Sequence, residues 1–193
     1  MALMQFDALV EHIDELCREK KPLLVAIDGR CGSGKTTLAD NLHNACGGNL
    51  FHMDDFYLRP EQRTPERYAE PGGNVDYERF FEEVLAPIKS GKEFSFRPFD
   101  IKIWDLGESK HIVPHSINII EGSYSLHPSL APQYDIKIFL DVGKDEQMRR
   151  IVKRNGEEWA KDFRDRWIPL EELYFAAHKV HEICDYVWNT GSL

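Results

Sequence analysis

Short apolar runs alternate with amphipathic segments along most of the chain. Each run has the length of a buried strand, and the runs lie at 23–28, 50–53, 117–120, 136–141 and 186–188. Between them, apolar residues recur at the three- and four-residue spacing of helices, at 6–17, 35–45, 76–90, 144–155 and from 169 onward. This order predicts an α/β fold with a parallel sheet of about five strands and helices on both faces.

Two further segments interrupt this alternation. Residues 94–113 alternate in polarity around the turn at 105–108, which predicts a β-hairpin inserted as a flap. A polar loop is expected over 58–75, and a charged segment containing tryptophan over 156–168, leading to the last helix. No repeat or linker divides the chain. We therefore expect a single domain, 1–193, with a flap at about 94–113 and a helical lid at about 149–168.

Composition narrows the class of protein. The 193 residues are 42% hydrophobic and 30% charged, as in ordinary globular proteins, and no apolar run approaches a membrane span. The N-terminal segment reads as an amphipathic helix rather than a signal peptide. A net charge of -9 argues against a nucleic-acid partner. The four cysteines form no C-x-x-C pair, which suits a reducing cytoplasm and gives no zinc site.

The segment 29–36, Gly-Arg-Cys-Gly-Ser-Gly-Lys-Thr, fits the phosphate-binding pattern G-x-x-x-x-G-K-[ST]. It lies between a predicted strand and a predicted helix, where consecutive backbone N–H groups and the helix N-terminus can bind phosphate. Lys35 is expected to reach the β- and γ-phosphates, and the Thr36 hydroxyl to ligate Mg²⁺. The Cys31 thiol is read as incidental, with a redox role as the alternative. The predicted nucleotide-binding residues are Gly29, Arg30, Cys31, Gly32, Ser33, Gly34, Lys35, Thr36 and Thr37.

Carboxylates follow two of the predicted strands. Asp54 and Asp55 come after the second apolar run, and Glu121 ends the run at 117–120. Ligands of parallel α/β sheets bind at the carboxyl ends of the strands, so Asp54 can act as a general base or bind Mg²⁺. A helix N-cap is the alternative for both residues. Catalysis is favoured for Asp54, whereas for Asp55 the cap and a functional role have equal weight. Glu121 has the position of a Walker-B acid and is predicted to serve Mg²⁺.

A basic helix face is the second candidate phosphate site. Arg150, Lys153 and Arg154 share one side of the predicted helix 144–155. Arginines over the γ-phosphate would stabilise the charge of the transition state. A solvated helix of mixed charge is the alternative.

With these residues in place, the chain resembles the uridine kinase branch of the P-loop kinases over about 23–190. Six elements in order carry the resemblance: 29–36, Asp-Asp-Phe-Tyr at 54–57, Asn-Val-Asp-Tyr at 74–77, Arg-Pro-Phe-Asp at 97–100, Glu-Gly at 121–122 and Arg-Arg-Ile-Val-Lys-Arg at 149–154. No N-K-x-D motif of GTPases and no ABC signature is present.

The resemblance implies a role for each matching position. Asp54 would be the general base, Lys35 and Arg150 the other catalytic groups, and Thr36, Asp54 and Glu121 the groups that serve Mg²⁺. The acceptor site would comprise Asp54, Tyr57, Asp76, Phe99, Trp104 and Arg154, with Asp76 holding sugar hydroxyls.

The chain departs from the family at three places. Phe99 and Trp104 stand where uridine kinases have a Tyr and a His that read the pyrimidine edge. The stretch 167–172 after the basic helix also has no clear family equivalent. These departures weaken an assignment to uridine itself.

The sequence therefore predicts a cytoplasmic kinase that uses ATP and Mg²⁺ to phosphorylate a hydroxyl of a nucleoside-like, ribose-like or polyol acceptor. The expected partner is that small molecule, with no nucleic acid and no membrane, and a homo-oligomer is compatible with the pattern. The rival hypothesis is a regulatory or binding module that hydrolyses ATP slowly and has no acceptor.

Overall fold

Five parallel strands form the central sheet of the computed structural model, which describes residues 2–191. The strands of the chain are β1 (Leu23–Gly29), β2 (Asn49–His52), β3 (Phe94–Phe96), β4 (Phe99–Asp100), β5 (Asp105–Leu106), β6 (Lys110–Ile112), β7 (Ile117–Glu121), β8 (Ile136–Asp141) and β9 (Tyr186–Asn189). The sheet order is β2-β7-β1-β8-β9, with every pairing parallel. The predicted sheet is confirmed.

Helices cover both faces of this sheet. They are α1 (Ala2–Glu19), α2 (Lys35–Cys46), α3 (Pro65–Ala69), α4 (Tyr77–Phe80), α5 (Ala86–Ser90), α6 (Lys144–Asn155), α7 (Glu157–Asp162) and α8 (Ile168–His178). Because side chains alternate along a strand, β1 contributes to two cores. Val25 and Ile27 pack with α1 and α2 on one face, whereas Leu24 and Ala26 pack with the helix at 77–90 and with α8 on the other.

Two predicted helices contain a wider π turn. Phe81–Leu85 joins α4 to α5, and Phe163–Trp167 joins α7 to α8. The segment 156–168, expected to lead to the last helix, is itself helical from Glu157 onward. Gly156 interrupts the helix, and no further Gly or Pro follows until Pro169, which lies in the first turn of α8 where its missing N–H is tolerated. The predicted loop 58–75 likewise contains a short helix, α3, which Thr64 caps.

The segment 94–113 folds back on itself as expected. β3 pairs antiparallel with β6, and the shorter β4 pairs antiparallel with β5 at the tip. Phe94 and Phe96 face Phe51 of the sheet, so the base of the hairpin belongs to the core. The predicted hairpin is confirmed. Within residues 2–191, no helix is long and apolar enough to cross a membrane.

Candidate active site

The loop between β1 and α2 lies at the carboxyl edge of the sheet and turns sharply as it leaves β1. Gly29 has a φ of 141°, and a Cβ there would lie 2.1 Å from the carbonyl oxygen of Leu140 on β8. A side chain at this position is therefore excluded, because the loop must leave β1 in close contact with β8. The Lys35 ammonium is buried and donates to the carbonyls of Gly29 at 2.8 Å and Arg30 at 3.0 Å, which hold it over the loop.

A cleft of about 490 Å³ opens above this loop. Nineteen residues from several elements line it: Cys31, Gly32, Gly34, Lys35, Thr36, Thr37, Asp54, Tyr57, Asn74, Val75, Glu121, Gly122, Ser123, Tyr124, Arg150, Arg154, Phe163, Trp167 and Glu171. Most of the sequence-predicted residues meet here. The side chain of Arg30 instead pairs with Asp141 and Glu172, and Gly29 and Ser33, which belong to the loop, are buried.

A group of oxygen ligands lies where β7 and α2 meet. Thr36 Oγ1 is 3.4 Å and 3.5 Å from the two carboxylate oxygens of Glu121, whose exposed fraction is 6%. His52 Nδ1 lies 2.6 Å from the same carboxylate, and this hydrogen bond raises the pKa of His52. Hydroxyl and carboxylate oxygens are the ligands that Mg²⁺ takes beside substrate phosphates. The described residues contain no cluster of three or more metal-binding side chains, so the group fits a nucleotide-bound ion rather than an all-protein metal cage.

Asp54 faces the cleft from the short helical turn that follows β2. The residue at the cap position of this turn is His52, and no side chain caps it. The Asp54 side chain is solvent-exposed at the mouth of the cleft. Partial desolvation by the surrounding cleft walls still raises its pKa, the Tyr57 hydroxyl acts against the shift, and the charge of Glu121 raises it further. The structure therefore gives Asp54 no capping role. Asp55 turns away and pairs with Lys110 of the flap at 2.8 Å.

The basic face of α6 borders the same cleft. The Arg150 guanidinium donates to the carbonyl oxygen of Gly32 at 3.2 Å and to Thr190, while Glu146 holds its Nε at 2.7 Å. Arg154 is exposed at the cleft, 5.8 Å from the ring of Phe163. Both arginines lie near the phosphate loop, and their contact with a phosphate stays a prediction.

Asp76 does not line the cleft. Its exposed fraction is 3%, and it caps α4 by accepting a hydrogen bond from the backbone N–H of Arg79 at 3.1 Å. Its second oxygen accepts from the side chain of Gln62 at 2.8 Å. A role on acceptor hydroxyls would require Asp76 to exchange these partners.

Phe99 and Trp104 also lie outside the cleft lining. Phe99 is buried and contacts Tyr57 edge-on, with ring centroids 6.4 Å apart. Trp104 is 55% exposed on the flap, and the guanidinium of Arg63 lies over both rings, 4.5 Å from Trp104 and 5.4 Å from Phe99. Of these two residues, Phe99 is the one that contacts a residue of the cleft lining, which is Tyr57.

The structure adds residues that the sequence patterns did not single out. Ser123 follows the Glu-Gly pair of β7, and its hydroxyl lies 3.2 Å from Lys35 Nζ. Glu171 reaches the loop from α8, 140 positions further along the chain, and accepts from Cys31 N at 2.9 Å. Ser123 could have been predicted from its position two residues after Glu121, whereas no local sequence pattern marks Glu171.

Asp28 lies directly under the loop and is fully buried. It accepts hydrogen bonds from the backbone of Gly29, Tyr124 and Leu126 and from the Tyr174 hydroxyl. Burial raises its pKa to about 6, although these donors and Lys35 act against the shift. Asp28 thus connects the end of β1 to the segment after β7 and to α8.

Comparison with known proteins places the chain among kinases. It is 30% identical to the uridine kinase of Streptococcus mutans over 150 residues, 72% of this chain and 70% of that one. It is 26% identical to the uridine kinase of Ureaplasma parvum over 188 residues, 88% and 90% of the two chains. Among solved structures, a putative fructose transport system kinase from Silicibacter sp. TM1040 matches with a TM-score of 0.73 and 24% identity, covering 95% of this chain and 98% of that one. No family model matches the chain.

Proposed function

Because this chain belongs to the uridine kinase family of P-loop kinases, we propose that it transfers the γ-phosphate of ATP to a hydroxyl of a small nucleoside-like, ribose-like or polyol acceptor. In this reaction the acceptor oxygen forms a bond to the γ-phosphorus, and the bond from that phosphorus to ADP breaks. The hydroxyl proton goes to Asp54. The products are ADP and a phosphate ester.

The observation that carries the proposal is the meeting of three kinds of group in one cleft. Lys35 and the loop amides supply the phosphate site, Asp54 supplies a carboxylate at the strand end, and Arg150 and Arg154 border the opening. Phosphoryl transfer needs positioning and charge stabilisation, which such groups provide. A base in the same cleft can take the proton of an acceptor hydroxyl.

Thr36, Glu121 and Asp54 are the residues that would hold Mg²⁺. The ion would neutralise charge on the β- and γ-phosphates. The raised pKa of Asp54 suits a group that must take up a proton, because a more basic carboxylate is a better proton acceptor.

The regulatory-module hypothesis is not favoured, because the two relatives compared above are uridine kinases, a name that states a small-molecule acceptor. A coupled assay of ADP release over nucleosides, vitamins, sugars and polyols tests the proposal, with Lys35→Ala as the inactive control. We expect one acceptor class to stimulate ADP release and to gain a phosphoryl group by mass. ADP release that no small molecule stimulates, but that a protein does, would contradict the proposal.

A further inference from the structure

The carboxylate of Glu171 is bound to the phosphate loop itself. Its exposed fraction is 4%, and its two oxygens accept from the Cys31 backbone N–H at 2.9 Å and from the Ser123 hydroxyl at 2.6 Å. The backbone N–H groups of such a loop are the donors that bind phosphate oxygens. Because a carboxylate and a phosphate are both anionic acceptors, Glu171 takes up a donor that suits the ligand of the loop.

The second contact of Glu171 leads to the lysine of the loop. The Ser123 hydroxyl lies 3.2 Å from Lys35 Nζ, so one hydroxyl separates the carboxylate from the ammonium expected to meet the β- and γ-phosphates. The charge of Glu171 also acts within the loop. Burial raises the pKa of the Cys31 thiol, and the negative charge of Glu171 raises it further. Glu171 thus lies at the end of the cleft where the γ-phosphate is expected.

The helix that carries Glu171 is held on the loop by further contacts. Tyr174, one helical turn further along α8, is fully buried and donates to Asp28 at 2.8 Å. Glu172 pairs with Arg30 of the phosphate loop. Because these contacts anchor α8, an anion that takes the Cys31 N–H must turn the Glu171 side chain away or share the donor with it.

Glu171 differs in its partners from Asp54 and Glu121, which also line the cleft. Asp54 and Glu121 are proposed to serve Mg²⁺, whose charge would compensate theirs. Glu171 instead uses donors of the loop, so its charge adds to that of a phosphate bound there. Like charges held close together in a confined space repel each other. ATP brings a γ-phosphate to this end of the cleft and ADP does not, so the repulsion opposes ATP more than ADP.

We propose that Glu171 is a specificity-determining residue of the nucleotide site. Its carboxylate competes with the γ-phosphate for the Cys31 N–H and for the Ser123–Lys35 pair, and it thereby lowers the affinity of the protein for ATP relative to ADP. This inference rests on the proposed function for the identity of the ligand, a nucleoside triphosphate, and is independent of the acceptor.

The test measures equilibrium binding of ADP and of the β,γ-imido analogue of ATP, each with Mg²⁺ and without an acceptor. The analogue replaces ATP because its terminal phosphate is not transferred during the measurement. We expect Glu171→Gln to raise the ratio of Kd for ADP to Kd for the analogue by about tenfold, the scale of one charged hydrogen bond. Most of this change should come from tighter binding of the analogue, since Gln removes the charge and keeps nearly the same shape.

Three further variants separate the charge of Glu171 from other effects. Glu171→Ala removes the charge without adding an amide donor, so it should raise the ratio in the same direction. Ser123→Ala removes one of the two donors that hold the carboxylate, so the ratio should rise by a smaller factor. Glu172→Gln makes the same charge change one residue away, at a side chain outside the cleft lining, and should leave the ratio as in wild type. Thermal unfolding of each variant verifies its fold, and Ser123→Ala carries the test if the Glu171 variants do not fold.

The outcomes separate this inference from the function on which it rests. A wild type that binds neither nucleotide would overturn both. If wild type binds both nucleotides and phosphorylates no acceptor, the kinase proposal fails, while the binding ratios still decide the role of Glu171. An unchanged or lowered ratio in folded Glu171→Gln and Glu171→Ala, a rise with Glu171→Gln alone, or an equal rise with Glu172→Gln would refute that role.

Discussion

Asp54→Asn tests the proposed chemistry most directly, because this substitution removes a proton acceptor and keeps the shape of the side chain. Asp54 lies in the turn after β2, where no side chain acts as a cap. The Asn oxygen can still accept from the Tyr57 hydroxyl. What the variant loses is the negative charge and the ability to take a proton from an acceptor hydroxyl.

The expected loss of activity follows from that change. General base catalysis contributes roughly 10²- to 10⁴-fold to a rate, so kcat should fall by that factor. This corresponds to about 2.7–5.4 kcal/mol in the activation free energy. KM for ATP should change little, since the phosphate-loop residues proposed to bind the nucleotide are left intact.

Although the substitution should lower kcat, it should leave the stability of the fold at neutral pH unchanged or slightly raised. The pKa of Asp54 is raised in the fold, so the folded state binds its proton more tightly than the unfolded state. The contribution of Asp54 to stability is therefore lost as pH rises from its unfolded pKa, about 3.9, through its folded pKa. Asp54→Asn cannot ionise, so at neutral pH it should unfold at the same temperature as wild type or slightly above it. The difference should vanish toward pH 4.

The assay is steady-state ADP release with the best acceptor, together with thermal unfolding at pH 4 and pH 7.5. Asp55→Asn is the matched control, because Asp55 makes an ion pair with Lys110 and does not line the cleft. Asn is as good an N-cap as Asp, so a lost cap cannot confuse the result. An Asp54→Asn variant that folds and keeps a normal kcat would refute the assignment of Asp54 as the base.

Three further predictions concern the phosphate loop, Asp76 and the flap. Lys35→Ala should lower kcat by at least about 10²-fold, the scale of one preorganised electrostatic group, and near-normal turnover in a folded variant would remove this lysine from the mechanism. Asp76→Ala should lower the free energy of unfolding by about 1 kcal/mol because a buried N-cap is lost. If Asp76 also holds acceptor hydroxyls, KM for the acceptor should rise while KM for ATP is unchanged. An equal rise in both KM values would contradict that role. Since Phe99 is apolar and Trp104 offers one N–H donor, uridine should be a poor substrate, and a kcat/KM near 10⁴ M⁻¹s⁻¹ or above, roughly the lower end for proper substrates, would contradict this.

Patterns within single segments predicted most of the fold. The apolar runs named each strand of the central sheet, and the turn at 105–108 identified the hairpin, because strand and turn preferences depend on neighbouring residues. Helical bounds were less accurate after Gly156. There the sequence predicted a helical lid to about residue 168 but not where its helices begin and end, and the buried Ala160 marks the side of α7 that packs on the rest of the structure.

The candidate site was predictable where its residues lie at strand ends or in the phosphate loop. Lys35, Asp54 and Glu121 come together in the structure because parallel strands present their carboxyl ends at one edge of the sheet. Asp76 was harder to assign, since an Asp that opens a helix can either bind a ligand or cap the helix. The backbone N–H of Arg79 and the side chain of Gln62 occupy its oxygens here.

The sequence by itself thus determined the phosphate loop, the α/β sheet and the family, because each of these depends on the order of residues along the chain. Tertiary structure alone decided which side chains share the cleft. Glu171 is 140 positions from Cys31, and the packing of Tyr174 against Asp28 brings the two together. Trp104 and Asp54 both lie in the part of the sequence that resembles the family, yet the flap places Trp104 against Arg63 and solvent. Contacts between distant segments depend on how helices pack on the sheet, and no local pattern records that packing.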